Sequence, residues 1–221
     1  NVHGFYFKPH RPALDFFENE CKKAGYNLSY KVINCANYGV PQIRQRFICV
    51  GVKKSMNDFT FPNPTHSNPE NKIKGTENWV TCGDILNDID FDLPEDKKMK
   101  AGSKHKDLLT FIPPGENYLF FTKERNHPNP VFKWRSRYWS FLLKLSPNRP
   151  SWTIQASHSN NMGPFHWKNR FLRINEIKRI QSFNDEHIFF GSFKEQWRQV
   201  GNAVPPKLSY KIASAIINQY Y

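Results

Sequence analysis

Three short stretches carry residue types whose spacing could do chemistry. In "NYGVPQIRQRF" (residues 37–47), Gln42, Arg44 and Arg46 alternate. On an extended segment alternate side chains leave one face. Two guanidiniums and a carboxamide in a row would match the paired oxygens of a phosphate or the edge of a base. The same row also fits an exposed, solvated strand edge. In "RQVGNAVPPKL" (198–208), Gly201 and Asn202 predict a turn, followed by small residues and a double proline. Small residues ahead of a helix let a ligand approach backbone N–H groups, although an ordinary turn before a proline-started helix reads the same way. In "RFLRINEIKRIQSFND" (170–185), Arg170, Arg173 and Arg179 accompany Glu176. They suit a phosphate-facing helix, or a solvated face with an i,i+3 ion pair.

The four cysteines, Cys21, Cys35, Cys49 and Cys82, form no C-x-x-C pair and have no histidine at zinc-finger spacing, so no metal site is expected. Cys35 and Cys49 lie in apolar, strand-like runs, where a thiol is a small core residue. Cys82, in "TCGD", comes nearest to a nucleophile's setting, but Asp84 beside it would raise the thiol pKa. Cysteine usage of this kind fits a reducing compartment.

The elements that must position these residues are partly readable. "ALDFFENECKKA" (13–24) places Leu14, Phe17, Cys21 and Ala24 at helical spacing, with Gly25 as the stop. "LSYKVINC" and "RFICVGV" predict two strands joined by the turn "ANYGVPQ", most simply as antiparallel neighbours. "WVTCGDILNDI" predicts one short helix, and "EDKKMKAGSKHKD" is polar. From Leu108 to about Phe165 the chain is aromatic, basic and rich in turn signals. Ile174, Ile177 and Gln181, with Ile180 adjoining, predict a helix. The closing helix starts at Pro205–Pro206 and carries Leu208, Ile212, Ala215 and Ile216 on one face.

Across 221 residues, 32 Lys and Arg stand against 19 Asp and Glu, a net charge of +13 that points to a polyanionic partner, above all nucleic acid. No apolar run approaches the roughly 18 residues that a spanning helix needs, and no basic amphipathic helix suggests a membrane surface. The irregular basic middle, rich in Arg, Trp and Tyr, suits a surface that follows a nucleic-acid backbone and probes its bases.

In this order the three stretches resemble the DNA (cytosine-5-)-methyltransferases. "NYGVPQIRQRFICVG" is similar to motif VIII of that family, "RFLRINEIKRIQSF" to motif IX and "QVGNAVPP" to motif X. Thr153-Ile154, in "SWTIQASHSN", stands where the family's target recognition domain carries Thr-Leu or similar. Motif IX departs from the family pattern at Arg173, where Thr is usual, and at Asn184, where Pro is common. "NVHGF" matches the family's Glu-Asn-Val motif at Asn1, Val2 and Gly4, without the glutamate.

The resemblance implies an α/β fold: the edge of a Rossmann-like S-adenosylmethionine-dependent methyltransferase sheet, a small, irregular, mostly β target recognition domain, and a C-terminal helix returning to the sheet. The expected divisions are 1–54 for the catalytic α/β part, 55–185 for target recognition ending in motif IX, and 186–221 for motif X and the last helix. In the family a thiolate from a Pro-Cys motif attacks carbon 6 of a cytosine flipped out of the duplex, and carbon 5 is then methylated. The sequence has no Pro-Cys dipeptide and no glycine-rich cofactor loop.

The expected assembly is therefore this chain together with a complementary N-terminal chain or segment. It would act on double-stranded DNA in a cytoplasmic, bacterial restriction-modification setting. The resemblance implies that Arg46 reaches the flipped cytosine and its phosphate, while Gln42 and Arg44 orient loop and DNA. Asn202 and Val204 are implied at the cofactor pocket. Arg125, Lys133, Arg135 and Arg137 are the candidates for reading DNA, joined by Thr153, Ser157, His158, Asn160 and Arg170. The competing readings are a catalytically dead, sequence-specific DNA-binding module and a generic RNA-binding domain. The apolar face of "YKIASAIINQY" argues against a stand-alone module, and an aromatic RNA-binding sheet has no signature here.

Overall fold

The computed structural model describes residues 11–89, 104–157 and 159–221. Asn1, Val2 and Gly4 of the opening motif, and His158, lie outside the described residues. Helix α1 (Arg11–Lys23) leads through Gly25, at φ +88°, into strand β1 (Tyr26–Asn34). The left-handed backbone there favours glycine, which carries no Cβ penalty. β1 pairs antiparallel with β3 (Gln45–Lys53), from Tyr26 opposite Lys53 to Asn34 opposite Gln45. Aromatic and β-branched residues along both strands favour this pairing. Of the residues read as the apolar face of α1, Leu14 is buried and Phe17 stands 43% exposed.

Between the paired strands, a 3-10 turn (Cys35–Tyr38) is capped by Asn34, whose Oδ1 accepts from the N–H groups of Ala36 and Arg44. Gly39 closes the turn at φ +77°. Strand β2 (Gln42–Ile43) then leaves the hairpin and pairs parallel with β6 (Ser151–Trp152), from the far side of the middle region. A third two-stranded pair joins β4 (His66–Ser67) to β5 (Glu77–Asn78).

As far as its residues are described, the middle region is not mostly β. Among its described residues the strands are two residues long, and the backbone runs as turns, isolated bridges and 3-10 segments such as Tyr118–Phe121. Aromatic packing shapes it instead, with Tyr118, Phe121, Phe141 and Phe165 buried together beside Leu109, Ile112, Leu119 and Leu142.

Helices α2 (Cys82–Leu86) and α4 (Ile174–Ile180) match the sequence expectation. α3 (Lys106–Phe111) adds a short turn ahead of the aromatic cluster. Helix α5 (Phe193–Asn202) was not expected: Gly201 and Asn202 end a helix and do not form a free turn. Its start is signalled by a capping box, Ser192 with Glu195, and its inner face by Trp197 and Val200. α2, α4 and α5 share one core with Leu145, Ile154 and Leu172. Helix α6 (Pro206–Tyr220) docks Leu208 and Ile212 onto the 3-10 turn and β1, against Ile33, Cys35, Tyr38 and Val40. Among the described residues, no helix is long and apolar enough to cross a membrane.

Candidate functional site

The short strand β2 is where the three chemistry-bearing stretches meet. Gln42 is fully buried. Its Oε1 accepts from the Ile154 N–H at 3.0 Å, and its Nε2 donates to Gln181 Oε1 at 2.9 Å. Gln181 in turn donates from Nε2 to the Val200 carbonyl at 2.7 Å. Arg44, also buried, donates from Nη1 to the Ile154 carbonyl at 2.9 Å and from Nη2 to the Gly201 carbonyl at 2.7 Å. Thr153 Oγ1 donates to the Ile43 carbonyl at 3.0 Å, and Trp197 Nε1 donates to the Gln155 carbonyl at 2.9 Å. Four segments far apart in the chain (42–44, 151–155, 180–181 and 200–203) are thus tied by their own buried polar groups.

The alternation of Gln42 and Arg44 puts both on one face, but that face points into the protein. Both side chains are buried, with their polar groups on backbone and on Gln181 and not at an open surface. Burial holds the Arg44 guanidinium down to about 10, with Arg46 adding to the shift. Arg46, one strand step on, is partly exposed and donates to the Gln45 carbonyl at 2.7 Å. Burial also lowers its pKa, opposed by Cys35.

Arg170 is buried as well. It is 4% exposed and forms a two-pronged pair with the fully buried Glu176, at 2.6 and 2.9 Å. Glu176 also accepts from the Arg173 N–H at the start of α4, so the carboxylate anchors a helix end. Arg179 is taken up by Asp185 and Asp88. The basic face read on this helix is therefore taken up in ion pairs, buried at Arg170 and at the surface at Arg179.

The remaining candidates stay at the surface. Lys133, Arg135 and Arg137 are exposed; Arg135 lies over the Trp134 ring at 5.7 Å and Arg137 over Phe141 at 5.8 Å. Lys133 and Trp134 line an open groove of about 540 Å³ with Lys123, Val131 and Phe132. Arg125 is exposed and paired with Glu116 at 3.1 Å. Ser157 and Asn160 are exposed and Thr153 is partly so. Sequence reasoning passed over Trp139 and Trp152, exposed rings 5.6 Å apart that stand in the same aromatic and basic stretches. Asn202 is exposed at the end of α5, and Val204 packs half-buried against the core under α6.

Two of the four thiols, Cys35 and Cys82, are buried. Burial pushes Cys35 up to about 11 against the pull of Arg44 and Arg46. Cys82 is raised further, mainly by burial and then by Asp84.

The model of the C-5 cytosine-specific DNA methylases matches residues 1–218. The chain belongs to this family. It is 38% identical over 233 residues to the type II methyltransferase M.SacI of Streptomyces achromogenes, an alignment covering 99% of this chain and 59% of that protein. It is 32% identical over 219 residues to M.NgoFVII of Neisseria gonorrhoeae, covering 98% of this chain and 57% of that protein. The chain thus spans less than two thirds of these relatives' length. The crystal structure of the S. pombe Dnmt2 methyltransferase superposes with a TM-score of 0.59 at 14% identity, covering 99% of this chain and 64% of that one. At that identity the likeness is one of fold alone.

Proposed function

We propose that this chain is the target-recognising, pocket-closing part of a DNA cytosine-5 methyltransferase of the type II restriction-modification kind. The observation that carries the reading is the convergence of the stretches resembling motifs VIII, IX and X, with Thr153-Ile154, on one buried hydrogen-bond network around Gln42 and Arg44. Residues 1–54 belong to the catalytic α/β part, 55–185 to target recognition and 186–221 to the closing segment. The nucleophile and most of the cofactor pocket come from residues outside these 221, in a complementary N-terminal segment or chain.

S-adenosylmethionine supplies the methyl group for carbon 5 of the cytosine when bound. Asn202 offers an exposed amide beside the apolar, half-buried Val204, a pairing that fits the polar methionine end and its apolar thioether chain. Arg46 holds the flipped cytosine and its phosphate, its partly desolvated guanidinium giving a stronger interaction than in open water. Lys133, Arg135 and Arg137 meet the duplex, where aromatic neighbours present their cationic heads, and Thr153 and Ser157 approach it from the adjoining segment.

The test is methyl transfer from labelled S-adenosylmethionine to unmethylated duplex DNA. The 221-residue chain alone should transfer nothing, and adding the segment with the Pro-Cys and glycine-rich motifs should start turnover. Methyl transfer by the purified chain alone would sink the reading, as would DNA binding without turnover once the missing segment is added.

A further inference from the structure

The Arg44 guanidinium is an expensive choice for its position. It is 2% exposed, burial depresses its pKa, and its buried Nε has no hydrogen-bond partner among the described residues. An apolar side chain of similar volume would fill the space without that desolvation cost. What a guanidinium adds is a rigid planar fork with fixed donor directions.

Those directions are divided between two segments. Nη1 holds the carbonyl of Ile154, while Nη2 holds the carbonyls of Gly201, at 2.7 Å, and Ala203, at 3.3 Å. A second route runs in parallel, from the Ile154 N–H through Gln42 and Gln181 to the Val200 carbonyl. The two backbones also touch directly. A Cβ on Gly201 would lie 2.5 Å from the Gln155 carbonyl oxygen and 2.7 Å from the Ala156 Cα, so neither segment can move closer without displacing the other.

We propose that Arg44, with Gln42 and Gln181, is a positioning device that makes segment 153–157 and segment 200–204 a single mechanical unit, so that DNA on the first and cofactor on the second each feel the other's occupancy. The proposal rests on the reading above, which assigns these two segments to DNA and cofactor. Linkage requires the effect to be reciprocal.

Hydrogen exchange on the full-length protein tests it, with an unmethylated DNA duplex and S-adenosylhomocysteine as the two probes. In the wild type, duplex should slow exchange at 200–204 as well as at 153–157, and S-adenosylhomocysteine should slow 153–157 as well as 200–204. Each cross-effect should be about five-fold or more, the lower end of ordinary coupling. Arg44→Lys keeps the charge but loses the fork; each ligand should then protect its own segment and leave the other within about two-fold of the free protein.

Should Arg44→Lys fail to fold, Gln181→Met removes the parallel route with Arg44 in place and should at least halve the transmitted protection. A merely stabilising role would lower the melting temperature of either variant and leave the cross-protection unchanged, which overturns the proposal. Own-segment protection without cross-protection in the wild type also overturns it, while leaving the functional reading intact. If neither ligand protects its own segment in the wild type, both fall.

Discussion

The arginines of the buried network and those of the aromatic middle region are the same side chain put to opposite uses. Arg44 and Arg170 are 2% and 4% exposed, and their terminal nitrogens are held by backbone carbonyls and by Glu176. Arg135 and Arg137 are exposed and rest over the rings of Trp134 and Phe141, with the guanidinium free to meet a partner. A buried guanidinium whose terminal nitrogens are held by carbonyls presents neither of them to a ligand. One that lies on an aromatic face keeps its in-plane donors and gains orientation from the ring. The difference teaches that a basic residue's role here follows from what surrounds it, not from the motif it belongs to.

The comparison can be broken most forcefully in the buried region. Glu176→Ala leaves the Arg170 charge inside without its partner, and should cost about 3–5 kcal/mol in denaturant unfolding. A loss under about 1 kcal/mol, the range of an exposed pair, would place Arg170 with the surface cations after all.

Arg46 stands between the two classes, partly exposed and partly desolvated. Arg46→Ala should reduce methyl transfer by the assembled enzyme by about a hundred-fold or more, with the melting temperature unmoved. Near-wild-type turnover would remove it from the site.

In the middle region, Arg135→Ala should cost about 1–3 kcal/mol of discrimination at one base pair if the side chain reads a base. A uniform loss over all sequences, with the salt slope reduced by about one, would make it a phosphate contact.

Lys144 crosses the comparison, being a buried cation inside the middle region. It is 2% exposed, donates to the Ile112 carbonyl, and burial pushes its pKa down to about 8. The unfolded chain keeps that proton to higher pH, so the folding penalty is full below pH 8 and fades as the pH rises from 8 toward the ordinary lysine value. Lys144→Met should therefore gain most over the wild type below pH 8, and the gain should shrink by pH 10. A difference that does not change with pH would show that Lys144 is not desolvated as its burial implies.

The smallest effect is expected at Arg125. Its exposed pair with Glu116 should contribute less than about 1 kcal/mol, so Arg125→Ala should leave stability nearly unchanged and act, if at all, on DNA affinity.

What was legible in the sequence tracks how local its cause is. α1, α4 and α6 and the pairing of β1 with β3 follow from periodicity and turn residues within about ten positions of one another. α5 was equally local but passed over: Ser192 and Glu195 mark its start, and Trp197 and Val200 sit three apart. Reading Gly201-Asn202 as a turn hid the helix that ends there. The expectation of a mostly β middle failed for a different reason. Its aromatic and β-branched residues favour strands locally, yet they are spent on a cluster around Tyr118, Phe141 and Phe165, whose packing no short window reveals.

By itself the sequence determined the family, the hairpin that carries Arg44 and Arg46, and the spacing that puts Gln42 and Arg44 on one face. Only the tertiary structure decided which way that face points. β6, the end of α4 and the end of α5 arrive from more than a hundred residues away and cover it. The alternation of a strand is set by bonds between neighbours, whereas desolvation is set by whatever packs against it. Arg44 and Arg46 differ by two positions in the chain, and that packing alone buries one of them and leaves the other partly exposed.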